Sequence, residues 1–179
     1  MRRLGALTLG VLLVLAGTAA PASAERFRLG DAVGDAAGDE SRDVLDIRSA
    51  TLDNRERVLV ARVRFDRVGR GDAIVSVDRR GGAGLRLVST RRADGSTRDR
   101  LLPGAFTDRG DEVVPPGPCP GFSATWDTRR DTVRFRLPAR CWNGGDYGDV
   151  RFTVLTERRG GDADIAPDRR PASRWVARG

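Results

Sequence analysis

Histidine is missing from all 179 residues, and this one gap removes more chemistry than any other feature of the chain. Ser-His-Asp and Cys-His machinery, imidazole zinc sites and histidine general bases all require a ring the protein does not have. Lysine is missing as well, so all 32 basic residues are arginine. Beside abundant Gly, Ala, Val and Asp, this resembles the codon bias of a high-GC genome and weakens any inference from arginine content to nucleic acid. Aromatic residues make up only 6% of the chain and are not interleaved with the arginines. The stacking platform of a single-strand groove is therefore not in place, and no nucleic-acid partner is expected. Beyond residue 24 there is no helical stripe of three turns.

The one long apolar run, Leu4 to Ala16, follows Arg2 and Arg3 and leads to Ala22-Ser23-Ala24. These are the three parts of a secretory signal, so residues 1–24 are expected to be a leader cut after Ala24. The run is too short for a comfortable membrane span, and no transmembrane segment is expected in the mature chain. Residues 25–179 have single-domain size and are expected to be secreted, either extracellular or associated with the cell envelope. Loss of Arg2 and Arg3 lowers the formal charge by two, from +7 to +5. With only Cys119 and Cys141 in an exported chain, the two are expected to form a disulfide.

That bridge frames the clearest local pattern. Phe122, Ala124 and Trp126 alternate with small or polar residues, and Val133, Phe135 and Leu137 alternate with Arg134 and Arg136. Asp127 to Asp131 supplies the turn, giving a hairpin tied at its outer ends with one apolar face. The same period runs through Leu59, Ala61, Val63 and Phe65 opposite Arg62 and Arg64. Ala73, Val75 and Val77 continue it, as do Leu85 with Leu87 and Val150, Phe152 and Val154. Leu45 to Leu52 changes apolar phase and predicts a bulge, and Asp53-Asn54 predicts a turn. Asp94-Gly95 marks a tight hairpin turn. Eight to ten short strands with turn signals every 8 to 12 residues predict an all-β, single-domain antiparallel sandwich, either Ig-like or jelly-roll.

Four stretches add a resemblance: Asp31 to Asp35, Asp46-Ile47, Arg-Leu-Pro-Ala-Arg-Cys-Trp from 136 to 142, and Ala-Pro-Asp at 166–168 followed by Ser-Arg-Trp-Val at 173–176. Together they resemble small secreted actinobacterial β-sandwich proteins of unassigned function. The opening is also similar, at the level of fold, to sugar-binding sandwich modules of secreted glycosidases. The group often has an acidic, glycine-containing turn after a strand ending in Asp, but here Val77-Asp78 is followed by Arg79-Arg80.

Calcium is the candidate cofactor, because hard cations want six to eight oxygens and two acidic loops supply them. The candidate ligands are Asp31, Asp35 and Asp39 in the first loop and Asp162 and Asp164 in the second. They can meet if the first and last strands are neighbours, although Asp is equally a turn former. Trp142 and Tyr147 lie in one loop where a sugar platform could form. Trp126 and Trp142 also fit a packed role, which leaves Tyr147 as the exposed one. Arg62, Arg64, Arg134 and Arg136 are expected on outer faces, forming one patch if their strands adjoin. The leading expectation is a non-enzymatic module that binds polysaccharide or protein at the cell envelope. A structural domain meeting anionic wall polymer through an Arg-rich face is the alternative, and a carboxylate-dependent hydrolase is a weaker third.

Overall fold

The structure is a computed structural model that describes residues 25–36, 44–108, 117–158, 163–168 and 172–179. Those residues form ten strands: β1 (Glu25–Gly30), β2 (Ile47–Arg55), β3 (Val58–Phe65), β4 (Gly71–Arg79), β5 (Gly82–Arg91), β6 (Thr97–Pro103), β7 (Ser123–Asp127), β8 (Thr132–Pro138), β9 (Val150–Glu157) and β10 (Ala163–Ala166). Two five-stranded antiparallel sheets result, one ordered β1-β2-β3-β8-β7 and the other β10-β9-β4-β5-β6. No helix among the described residues is long and apolar enough to cross a membrane.

The period-2 pattern decides which side of each strand is buried. Leu59, Ala61, Val63 and Phe65 of β3 meet Val133, Phe135 and Leu137 of β8 on one inner face. They pack with Ala73, Val75 and Val77 of β4, Leu85 and Leu87 of β5, and Phe152 and Val154 of β9 in one core, every member nearly inaccessible to solvent. The passages β3 to β4 and β8 to β9 both change sheets, and their strands lie side by side in each, β3 next to β8 and β4 next to β9. With β2 and β7 flanking one pair, and β10, β5 and β6 flanking the other, this is the strand order of a variable-type immunoglobulin sandwich plus an added edge strand, β1. Of the two expected sandwich forms, the Ig-like one matches.

Cys119, just before β7, bonds Cys141, just after β8, with Cα atoms 5.3 Å apart. The hairpin is thus tied at its open end, as expected for the only two cysteines of the chain. On this flank the sandwich is closed by polar contacts. Trp126 of β7 stacks on Phe65 and donates from Nε1 to Ser89 Oγ across the core at 2.9 Å. Asp99 of β6 accepts from the Ser89 hydroxyl and from the Ala124 N–H, both at 2.7 Å.

One local expectation changes. The turn lies at Glu56-Arg57 rather than Asp53-Asn54, and β2 runs on through both residues. Asn54 sits in the inward phase, wholly buried, where its side-chain amide donates to the carbonyls of Gly148 and Val176. A turn residue in sequence is thus a core polar residue in the fold, because those two carbonyls need a donor. The predicted bulge exists between Ile47 and Ser49.

Candidate functional site

Register places the arginines. On the outer side of the first sheet, Arg28 of β1 stands opposite Thr51 of β2, Thr51 opposite Arg62 of β3, Arg62 opposite Arg134 of β8, and Arg134 opposite Thr125 of β7. One row therefore crosses the whole sheet perpendicular to the strands. Arg64 follows Arg62 on the same side of β3, and Arg136 follows Arg134 on β8, paired with Val60. All four arginines expected on outer faces are exposed there, and β3 and β8 are neighbours.

The residues around this row enclose a hollow of about 640 Å³ walled by Arg26, Arg28, Arg62, Arg64, Arg129 and Arg134, with Asp53 its single acid. Asp53 is already engaged. It accepts from Arg26 Nε at 2.6 Å and Nη2 at 2.8 Å, and from Arg55 Nη2 at 2.8 Å. Those guanidiniums hold its carboxyl below the usual carboxylate range, the Arg26 hydrogen bond most of all. At the far side Asp127 accepts from the N–H groups of Arg129 and Arg130 and faces the Arg130 guanidinium. Among the described residues, no acid pairs with Arg62, Arg64 or Arg134. Like charges directly opposite on adjacent strands are destabilising by a few tenths of a kcal/mol to about 1, so the Arg62–Arg134 pair is a standing cost to the fold.

The other sheet handles arginine differently. Arg151 of β9 reaches Asp78 of β4 at 2.6 Å, and Asp78 also accepts from the Thr107 hydroxyl. Arg100 of β6 lies 3.8 Å from Asp72. Arg86 donates to the carbonyls of Pro103 and Gly104. The segment after β6 crosses that outer face, where the Phe106 N–H donates to Ser76 Oγ. Gly84 permits the crossing, because a Cβ there would lie 2.5 Å from Ala105 Cβ and 2.3 Å from the Val77 carbonyl oxygen.

The acidic residues gather at the flank opposite the disulfide. β1 and β10 are edge strands of different sheets, so the loops meet across the rim of the sandwich and not by sheet pairing. Oxygens of Asp31, Asp164 and Asp168 lie within 4.8 Å of one another, as do those of Asp35, Asp46 and Asp164. Asp46 and Asp164 are nearly inaccessible to solvent. The Gly34 N–H donates to Asp46, and the Ile47 N–H donates to Asp164 Oδ2 at 2.6 Å, stitching the seam. Asp31 Oδ2 is shut off from solvent and has no hydrogen-bond partner. Burial first, then the charges of Asp164, Asp168 and Asp35, push the Asp31 carboxyl up to about 8. Burial raises Asp164 to about 6 against the opposing Ile47 hydrogen bond, and it raises Asp35 too. Of the expected ligands, Asp31, Asp35 and Asp164 come together, while Asp39 and Asp162 lie outside the described residues. Asp46 and Asp168 complete the cluster. Their signal was the pair of short acidic motifs around Ile47 and Pro167.

The aromatic rim is a correction. Tyr147, expected on the surface, is 3% exposed, and Trp142 is 5% exposed. Their rings stack 4.9 Å apart, with the Arg178 guanidinium 4.7 Å over the Tyr147 ring. Rings that bury each other offer no flat platform to a sugar. Comparison of the chain with family models, with curated proteins and with solved structures finds no match to any of them.

Proposed function

We propose that this chain is an exported, non-enzymatic binding module of the cell envelope, and that it holds an anionic polymer on the outer face of the β1-β2-β3-β8-β7 sheet. The observation that carries this reading is the Arg62–Arg134 pair with Arg64 beside it, exposed in one hollow and without acid partners. Guanidiniums set against each other at a cost to stability make sense when an anion arrives between them. Two competing readings find less support. A sugar platform needs exposed rings, which Trp142 and Tyr147 do not offer. A hydrolase needs two carboxyls facing a cleft, and the single acid in the hollow, Asp53, is held ionised by two arginines. The test is calorimetric binding of polyphosphate and polygalacturonate at about 50 and 200 mM NaCl. Affinity should fall about tenfold or more over that range and again on Arg134→Gln/Arg136→Gln. Binding that ignores both salt and substitution, or no binding at all, removes the reading.

A second reading concerns the seam. We propose that its aspartates take up calcium, with Asp31, Asp35, Asp46, Asp164 and Asp168 as the oxygen donors. The buried Asp31 Oδ2, which receives no hydrogen bond, favours this, because an all-carboxylate donor set suits a hard cation.

A further inference from the structure

We infer that the polymer held on this face is a linear phosphate-bearing chain lying across the strands, with Arg62, Arg64 and Arg134 as its clamp and Asp53 limiting how tightly it binds. This inference rests on the anionic-polymer reading above and names the ligand class. Three guanidiniums that pair with no acid among the described residues line one hollow. Arg62 and Arg134 are on adjacent strands, about 5 Å apart at the backbone, and Arg64 is about 7 Å along β3. A carboxylate has two oxygens and is satisfied by one arginine fork. A phosphate inside a chain carries one charge on two free oxygens, as a carboxylate does, but successive phosphates of a polyphosphate follow more closely than carboxylates borne on sugar rings, so neighbouring phosphates together accept from all three forks.

Direction follows from the row. Arg28, Thr51, Arg62, Arg134 and Thr125 present guanidinium and hydroxyl donors over four inter-strand steps, about 19 Å in all. Acids stand to either side, Asp53 in the row paired with Val60 and Asp127 in the row paired with Thr132. Both acids are already engaged by arginines, and the row between them is the one that carries no acid, so it is the favourable path. The only apolar wall of the hollow is Val60, which gives a base no ring to stack on, so the chain recognised is one of phosphates without nucleobases. Asp53 occupies Arg26 and Arg55, two guanidiniums that would otherwise extend the clamp.

The test measures binding of medium-chain polyphosphate, polygalacturonate, orthophosphate and a DNA duplex at one ionic strength. Polyphosphate should bind at least tenfold more tightly than the other three. Arg62→Gln/Arg134→Gln should remove most of that preference, and Asp53→Asn should raise polyphosphate affinity severalfold by releasing Arg26 and Arg55. Equal affinity for polyphosphate and polygalacturonate overturns the phosphate assignment and leaves the anionic-polymer reading standing. Failure of both polymers to bind overturns that reading itself. Orthophosphate as tight as the chain, or the duplex tighter than polyphosphate, overturns the linear-chain assignment. Unchanged or weaker polyphosphate binding by Asp53→Asn overturns the limiting role of Asp53.

Discussion

The arginine row and the acidic seam are both clusters of like charge, and burial makes them opposites. Arg62, Arg64 and Arg134 stand in solvent, where water screens much of their repulsion. The seam packs Asp46 and Asp164 out of water, and there burial first, then the crowding of charge, drives a proton onto Asp31, whose carboxyl is pushed up to about 8. An exposed cluster waits for a large counter-ion and can release it. A buried one must be neutralised as part of folding, by protons or by a metal. The former suits the binding surface proposed for it, whereas the latter is a joint.

The largest effect that would disturb this pairing lies in the disulfide hairpin, which supplies Arg134 to the row and lies at the flank opposite the seam. Reduction, or Cys119→Ser/Cys141→Ser, should cost about 2 to 5 kcal/mol of stability. Polyanion binding should weaken with it while the response to calcium persists. Chemical denaturation with and without reductant measures the first and calorimetry the second. A loss below about 1 kcal/mol would mean that strand pairing alone holds the row.

How much of this could be read in advance differs between the two clusters for a physical reason. The arginines follow the strand period, so Arg62 and Arg134 announce their own outward phase, and only the adjacency of β3 and β8 had to come from topology. Arg26 and Arg28 alternate in the same way in β1, but two outward residues in a six-residue strand are a weak signal. The seam depends on where loops go, and loops have no period. Asp46 reads as one more acid in a glycine-rich run, yet it is fully buried because Leu45 and Ile47 on either side are core residues. Asn54 misleads for the opposite reason: its turn propensity is overridden by two carbonyls that its amide serves.

The seam gives the next effect in size. The folded-state pKa of Asp31 is about 8 against an ordinary 3.8, so the native chain holds a proton that the unfolded chain releases between those values. Stability of the metal-free protein should therefore be highest near pH 4 and fall as pH rises towards 8, with Asp164, at about 6, adding loss in the same direction. Calcium taken up by the seam would displace those protons and should reverse the trend. At ten times its Kd it adds about 1.4 kcal/mol, or roughly 3 to 5 °C in melting temperature. The gain should be large at pH 8 and small at pH 5, where protons compete. Melting scans in chelator and in about 10 mM calcium decide it. The falling trend without any calcium response would leave protons as the seam's only counter-charge.

The smallest effect separates the two outer faces. Arg134 of the exposed row pairs with no acid among the described residues, and removing its charge relieves the repulsion from Arg62 directly opposite. Arg134→Gln should leave stability unchanged or raise it by up to about 1 kcal/mol. Arg151 on the other sheet is the control, since it is a third exposed and bonds the largely buried Asp78 at 2.6 Å. Arg151→Gln strips a charged partner from that carboxylate and should cost about 1 to 3 kcal/mol, with polyanion binding untouched. Composition cannot distinguish these two arginines, because genome bias acts on both alike. If both substitutions cost the same, the row is ordinary solvated surface. If only Arg134→Gln leaves the fold intact and loses the ligand, its charge is there for binding and not for folding.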